Sequence, residues 1–95
     1  MKKKMAKKDL VFALKYGGLS GKARGLLCAF FIMRNRNGCC CLNYRDLMDI
    51  SGIGNRNTMA DKISELVECG VLLVENQYNE KTNSREMNKY TLVSV

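Results

Sequence analysis

Two glycines in the stretch Ser51-Gly52-Ile53-Gly54 constrain this chain more than any other feature. Glycine tolerates the φ > 0 backbone that a sharp turn demands, so a helix running into this stretch ends there. The residues before it read as such a helix. Asn43 is a candidate N-cap, and Tyr44, Leu47 and Met48 follow at i, i+3, i+4 on one apolar face. After the turn, Asn55 is a candidate cap for a second helix, whose Met59, Ile63, Leu66 and Val67 recur at i, i+4, i+7, i+8. Gly70 stands where a C′ glycine would close it. Residues 43–70 therefore predict two short helices joined by a tight turn.

Upstream, Ser20 is a plausible N-cap for a longer helix reaching about Asn35, with Leu19, Ala23, Leu26, Leu27, Phe30 and Phe31 as its main apolar stripe. Cys28, Ala29, Ile32 and Met33 add apolar surface on its other sides. A helix apolar nearly all round must be covered on more than one face. A second subunit is the expected cover, and residues 9–16 of the same chain are the alternative. Those residues, Asp9 to Tyr16, fit neither helical nor strand period cleanly; a short helix is expected, an extended segment the alternative. Residues 1–8 hold five lysines and no acid. They read as a flexible basic tail ahead of a single domain, 9–95, either simply solvated or serving as an arm that touches phosphate.

Cys39 to Leu42 is a short strand, expected at a sheet edge, with Cys39 and Cys41 on one face and Cys40 on the other. Val71 to Glu75 and Met87 to Val95 read as two further strands around a polar loop, with Tyr90 and Leu92 sharing a face. The fold class is α+β.

Several function classes are excluded or disfavoured. The apolar run Leu26 to Met33 is far short of the roughly 20 residues a membrane span needs. The odd set of five cysteines, with no secretory context, suggests reduced thiols and a cytoplasmic protein. No C-x2-C spacing or histidine is present for zinc, so neither metal nor cofactor is expected, and the cysteines read as small packing residues. Without histidine, a phosphate-binding glycine loop or a nucleophile elbow, an enzyme is not expected.

From about Leu19 to Val93 the chain resembles the winged helix-turn-helix DNA-binding domains of bacteria, plasmids and phages. The resemblance is carried by Leu19-Ser20-Gly21-Lys22-Ala23, Tyr44-Arg45-Asp46-Leu47, the run from Gly52 to Thr58, the run from Ile63 to Leu72, and Asn88-Lys89-Tyr90-Thr91-Leu92. It implies a three-helix core, a short edge strand and a C-terminal β-hairpin wing. It extends to replication-initiator N-terminal domains, centromere-binding adaptors of tubulin-type plasmid partition and compact transcriptional repressors, without choosing among them. Double-stranded DNA is the implied partner, bound by a homodimer.

The resemblance also implies where DNA would be touched. Asn55, Arg56, Asn57 and Thr58 open the recognition helix, Arg suiting guanine and Asn adenine, with Thr and the helix N-terminus suiting phosphate. Lys62 is expected one turn on, facing outward. Asn43, Tyr44 and Arg45 are expected at the DNA backbone. Lys81, Asn83, Ser84 and Arg85 are expected at the wing tip and Lys89 on a wing strand.

Charge distribution complicates this expectation. The formal net charge is +7, yet residues 43–70 carry three basic residues against five acidic ones. Asp61 in particular would repel phosphate unless it accepts from cytosine or pairs with a nearby cation. The positive charge lies in residues 1–8 and in Lys22, Arg24, Arg34 and Arg36. A protein-interaction module is the competing expectation.

Overall fold

The computed structural model describes residues 4–75, 78–79, 84–85 and 88–94. These form an α+β fold with four helices and a three-stranded antiparallel sheet. The helices are α1 (Lys7–Tyr16), α2 (Gly21–Met33), α3 (Tyr44–Ser51) and α4 (Arg56–Cys69). The sheet is built from β1 (Cys39–Leu42), β2 (Leu72–Glu75) and, closest to the C-terminus, a strand at Asn88–Leu92. Between β2 and that strand lie two short paired segments, β3 (Tyr78–Asn79) and β4 (Ser84–Arg85), so the last strand is β5. The order across the sheet is β1-β5-β2, which leaves β1 at an edge and β5 in the centre.

Register explains which residues enter the core. Tyr90 of β5 lies between Cys40 of β1 and Val74 of β2, while Leu92 pairs with Leu72. Alternation then turns Cys40, Tyr90, Leu92 and Leu72 towards the helices, and all four are buried. Cys39 and Cys41 take the opposite face as expected, but with different environments. Cys41 is exposed and so is not a packing residue, whereas the turn before β1 folds over Cys39. There Asn35 Oδ1 accepts from the Cys39 amide at 3.1 Å, and Asn37 O lies 3.6 Å from its Sγ. Burial, with its two cysteine neighbours, pushes the Cys40 thiol up to about 11, so it stays protonated and inert near neutral pH.

Against this face α2 delivers Ala23, Leu26, Leu27 and Phe30, all fully buried, and the Phe30 and Tyr90 ring centroids lie 4.9 Å apart. Leu47 of α3, Met59, Ile63 and Leu66 of α4 and the turn residue Ile53 complete the core. Val67, expected in the α4 stripe, is 43% exposed instead. The stripe of Met59, Ile63 and Leu66 already spans the width of the contact, and the next position rotates past its edge.

The N-terminal segment departs most from the sequence reading. Residues 1–8 were expected as a tail, but the chain belongs to the fold from Lys4 onward. Lys4 forms an antiparallel bridge with Val93, Met5 is buried in the core, and α1 begins at Lys7. Gly38 permits this close approach: its φ is +78°, and a Cβ there would come within 2.8 Å of Lys4 Cγ. The Asp9 carboxylate accepts from the Ala6 amide at 2.9 Å and fixes the start of α1. Leu10, Ala13 and Leu14 then pack on the core while Val11, Phe12 and Tyr16 face solvent. Apolar residues on both sides of α1 are what blurred its period.

One polar contact locks α4 to α2. Glu65 accepts from the Ser20 amide at 2.7 Å and from Ser20 Oγ at 3.1 Å, at the N-terminus of α2. The Ser20 amide hydrogen bond, foremost, holds the Glu65 carboxyl below its ordinary value, against the opposing effect of burial. A depressed folded-state value means the stabilisation is present above the unfolded carboxylate range and is lost as pH falls through the folded value. Thermal denaturation across that acidic window is therefore expected to show a fall in Tm that Glu65→Gln reduces. Equal pH dependence in the two proteins would contradict the assigned role.

Candidate functional site

The ends of α3 and α4 that follow β1 and the turn converge on one surface. Asn43 caps α3, its Oδ1 accepting from the Asp46 amide at 2.8 Å. Gly52 ends α3 in the left-handed region at φ +75°, Ile53 is buried, and Asn55 begins the next helix. The Asn55 Oδ1 accepts from the amides of Asn57 at 2.8 Å and Thr58 at 3.2 Å. Two donors that a phosphate at this helix end would need are thus already satisfied within the chain. Asn43 and Asn55 hold the helix ends in place through their side-chain oxygens.

Tyr44 is half-buried and packs against the core from the first turn of α3. The Arg56 guanidinium carbon lies 6.0 Å from the centre of its ring, at the outer limit of a cation–π contact. This brings the starts of α3 and α4 together. Arg45, Arg56 and Asn57 are exposed around this junction, and Thr58 is half-buried.

Lys62 is not where the sequence reading put it. Its side chain is 18% exposed and its Nζ lies 3.4 Å from both Asp61 Oδ2 and Glu65 Oε1. Desolvation opposes its charge, but hydrogen bonds to Asp61 and Glu65 outweigh that and raise its pKa. On a helix turning ~100° per residue, position 62 falls on the flank that meets α2, not on the outer face. The outward strip consists instead of Asn57, Ala60, Asp61, Ser64 and Glu68, all exposed. The signal for Ala60, Asp61 and Ser64 was present in the sequence, at i+3, i+4 and i+7 from Asn57 and opposite Met59, Ile63 and Leu66.

Of the residues assigned to a wing, Lys81 and Asn83 lie outside the described residues. Ser84 and Arg85 belong to β4, whose backbone pairs Arg85 with Tyr78 and Ser84 with Asn79. Lys89 is half-buried on β5, across from Cys41 on one side and Glu75 on the other.

The basic residues upstream stand elsewhere. Lys4 Nζ donates to Arg36 O, beside Leu92 at the end of β5 and Val93 just beyond it. This is the Cys39 end of β1, whereas Asn43 and Tyr44 follow its Leu42 end, on the order of 10 Å away along the strand. Arg34 lies 3.5 Å over the Phe31 ring and Arg24 Nε donates to Leu19 O at 3.0 Å, so both are tied to their own neighbourhoods. Arg45 and Arg56 are carried on the first turns of α3 and α4 themselves.

Comparison with protein-family models, with curated proteins and with solved structures gives no match for this chain. Among the described residues no helix is long and apolar enough to cross a membrane.

Proposed function

We propose that this chain is a winged helix-turn-helix protein that binds double-stranded DNA sequence-specifically, as a homodimer and without catalysis. The observation that carries the reading is the outward strip of α4. Its polar residues stand on a helix whose opposite face is locked into the core and whose start is fixed by the Asn55 cap. A helix so held presents a rigid row of side chains to a major groove about 12 Å wide. The order of α2, β1, α3, α4, β2 and β5, with β1-β5-β2 in the sheet, is consistent with the winged-helix arrangement expected from the sequence and supports the reading.

In this reading Asn57 and Arg56 contact base edges, Arg45 and Tyr44 the DNA backbone, and Lys89 a flanking phosphate. Homodimerisation is supported by large apolar side chains left exposed on α1 and α2: Phe12 and Tyr16 of α1 are 62% and 70% exposed and Ile32 of α2 is 76% exposed. Two recognition helices would then read half-sites about 34 Å apart on one face of the duplex. The same exposed residues favour a second reading, a protein-interaction module on this scaffold. Partition-complex assembly, transcriptional repression and a replication-initiation accessory role all fit a domain whose output is binding.

Footprinting on DNA flanking its own gene tests the proposal. Protection of short, regularly spaced sites is expected, with clustered direct repeats pointing to partition or replication and a lone palindrome to repression. Absence of protection, with a stable hetero-complex on sizing, would favour the interaction module.

A further inference from the structure

We infer that Asp61 is a base-reading residue, selecting a cytosine in the major groove rather than merely opposing the DNA. The inference rests on the DNA-binding reading above and deepens it. Asp61 stands at the centre of the outward face of α4, one turn beyond Asn57 and opposite Met59, Ile63 and Leu66. Its side chain is 74% exposed. A helix seated in the groove by its first two turns brings this position towards base edges.

A carboxylate at that point would ordinarily be repelled by phosphate, and the structure supplies an offset. Lys62 Nζ lies 3.4 Å from Asp61 Oδ2 and 3.4 Å from Glu65 Oε1, and Glu65 is itself held by the Ser20 amide and hydroxyl. The chain Ser20–Glu65–Lys62–Asp61 thus anchors a cation behind the carboxylate. An ionised carboxylate has about four lone-pair sites, so this contact leaves acceptor capacity on the outward side.

That acceptor can satisfy only a donor. Major-groove donors are the cytosine N4 and adenine N6 amines, and N6 sits beside the N7 acceptor, which repels a carboxylate. Guanine presents two acceptors and thymine an acceptor and a methyl group, so neither fits. Cytosine is the match. Asp is short, and the flanking Ala60 and Ser64 are small enough to let the helix approach closely.

Selection of bound sequences from a randomised duplex pool, with wild type, Asp61→Ala and Asp61→Asn, tests this. Wild type is expected to enrich a C·G pair at one position. Asp61→Ala should lose that preference alone, by roughly 5- to 150-fold in relative affinity. Asp61→Asn should move it towards adenine, to whose N6 and N7 an amide can pair. Unchanged preferences with tighter binding to every sequence in Asp61→Ala would overturn the inference and leave the DNA reading intact. A wild type that enriches nothing overturns both.

Discussion

Tyr90→Ala is expected to destabilise the protein by about 3–5 kcal/mol, the range for removing a fully buried aromatic side chain. Tyr90 is the central residue of the central strand, with Cys40 and Val74 beside it and Phe30 packed across it at 4.9 Å. Truncation opens a cavity between sheet and α2 that neither neighbour can fill without leaving its own place. A domain of this size has a total stability of about 5–14 kcal/mol, so the variant should melt far below wild type or fail to accumulate. Tyr90→Phe separates ring from hydroxyl. It keeps the packing and loses the contact in which Asn88 Nδ2 donates to the Tyr90 hydroxyl at 3.2 Å, so about 1 kcal/mol is expected. Urea denaturation of the three proteins measures both effects; equal losses would show that the hydroxyl, not the ring, carries the contribution.

Under the proposed DNA-binding function, Asn57→Ala is expected to weaken binding to the preferred duplex by roughly 5- to 150-fold and to leave binding to unrelated duplexes nearly unchanged. Asn57 begins the outward strip, its backbone amide fixed by the Asn55 cap, and its side chain is exposed. Arg56→Ala should likewise relax discrimination at one base position. Arg45→Ala, exposed on α3, should weaken all sequences alike and reduce the salt slope by about one. Anisotropy titrations against preferred and scrambled duplexes separate these patterns. Uniform weakening in Asn57→Ala would place it at the DNA backbone.

The main elements of the fold were legible in the sequence because its local signals agree. Asn43 and Asn55 cap the helices they were expected to cap, Gly52 and Gly70 end them in the left-handed region, and Tyr90 with Leu92 faces the core. The departures arise where a residue's partner is remote in the chain. Met5 and Lys4 join the fold through Gly38 and Val93, contacts that a run of lysines does not announce. Lys62 stands on the flank of α4 that meets α2, where it pairs with Glu65, itself held by Ser20 from 45 residues away. The same contact accounts for Glu65, one of the acidic residues that made the helix pair look ill suited to DNA: it fastens α4 to α2. Asp61 and Glu68 remain on the outer face.

The central claim is that α4 reads DNA, and the salt dependence of binding tests it most directly. Affinity for a protected duplex and for a scrambled one of equal length should be measured from low to physiological salt. The account predicts tighter binding to the protected duplex throughout. It also predicts a log–log slope that falls by ~0.9 for each phosphate neutralised. A flat salt response, or equal affinity for the two duplexes at every salt concentration, would contradict it.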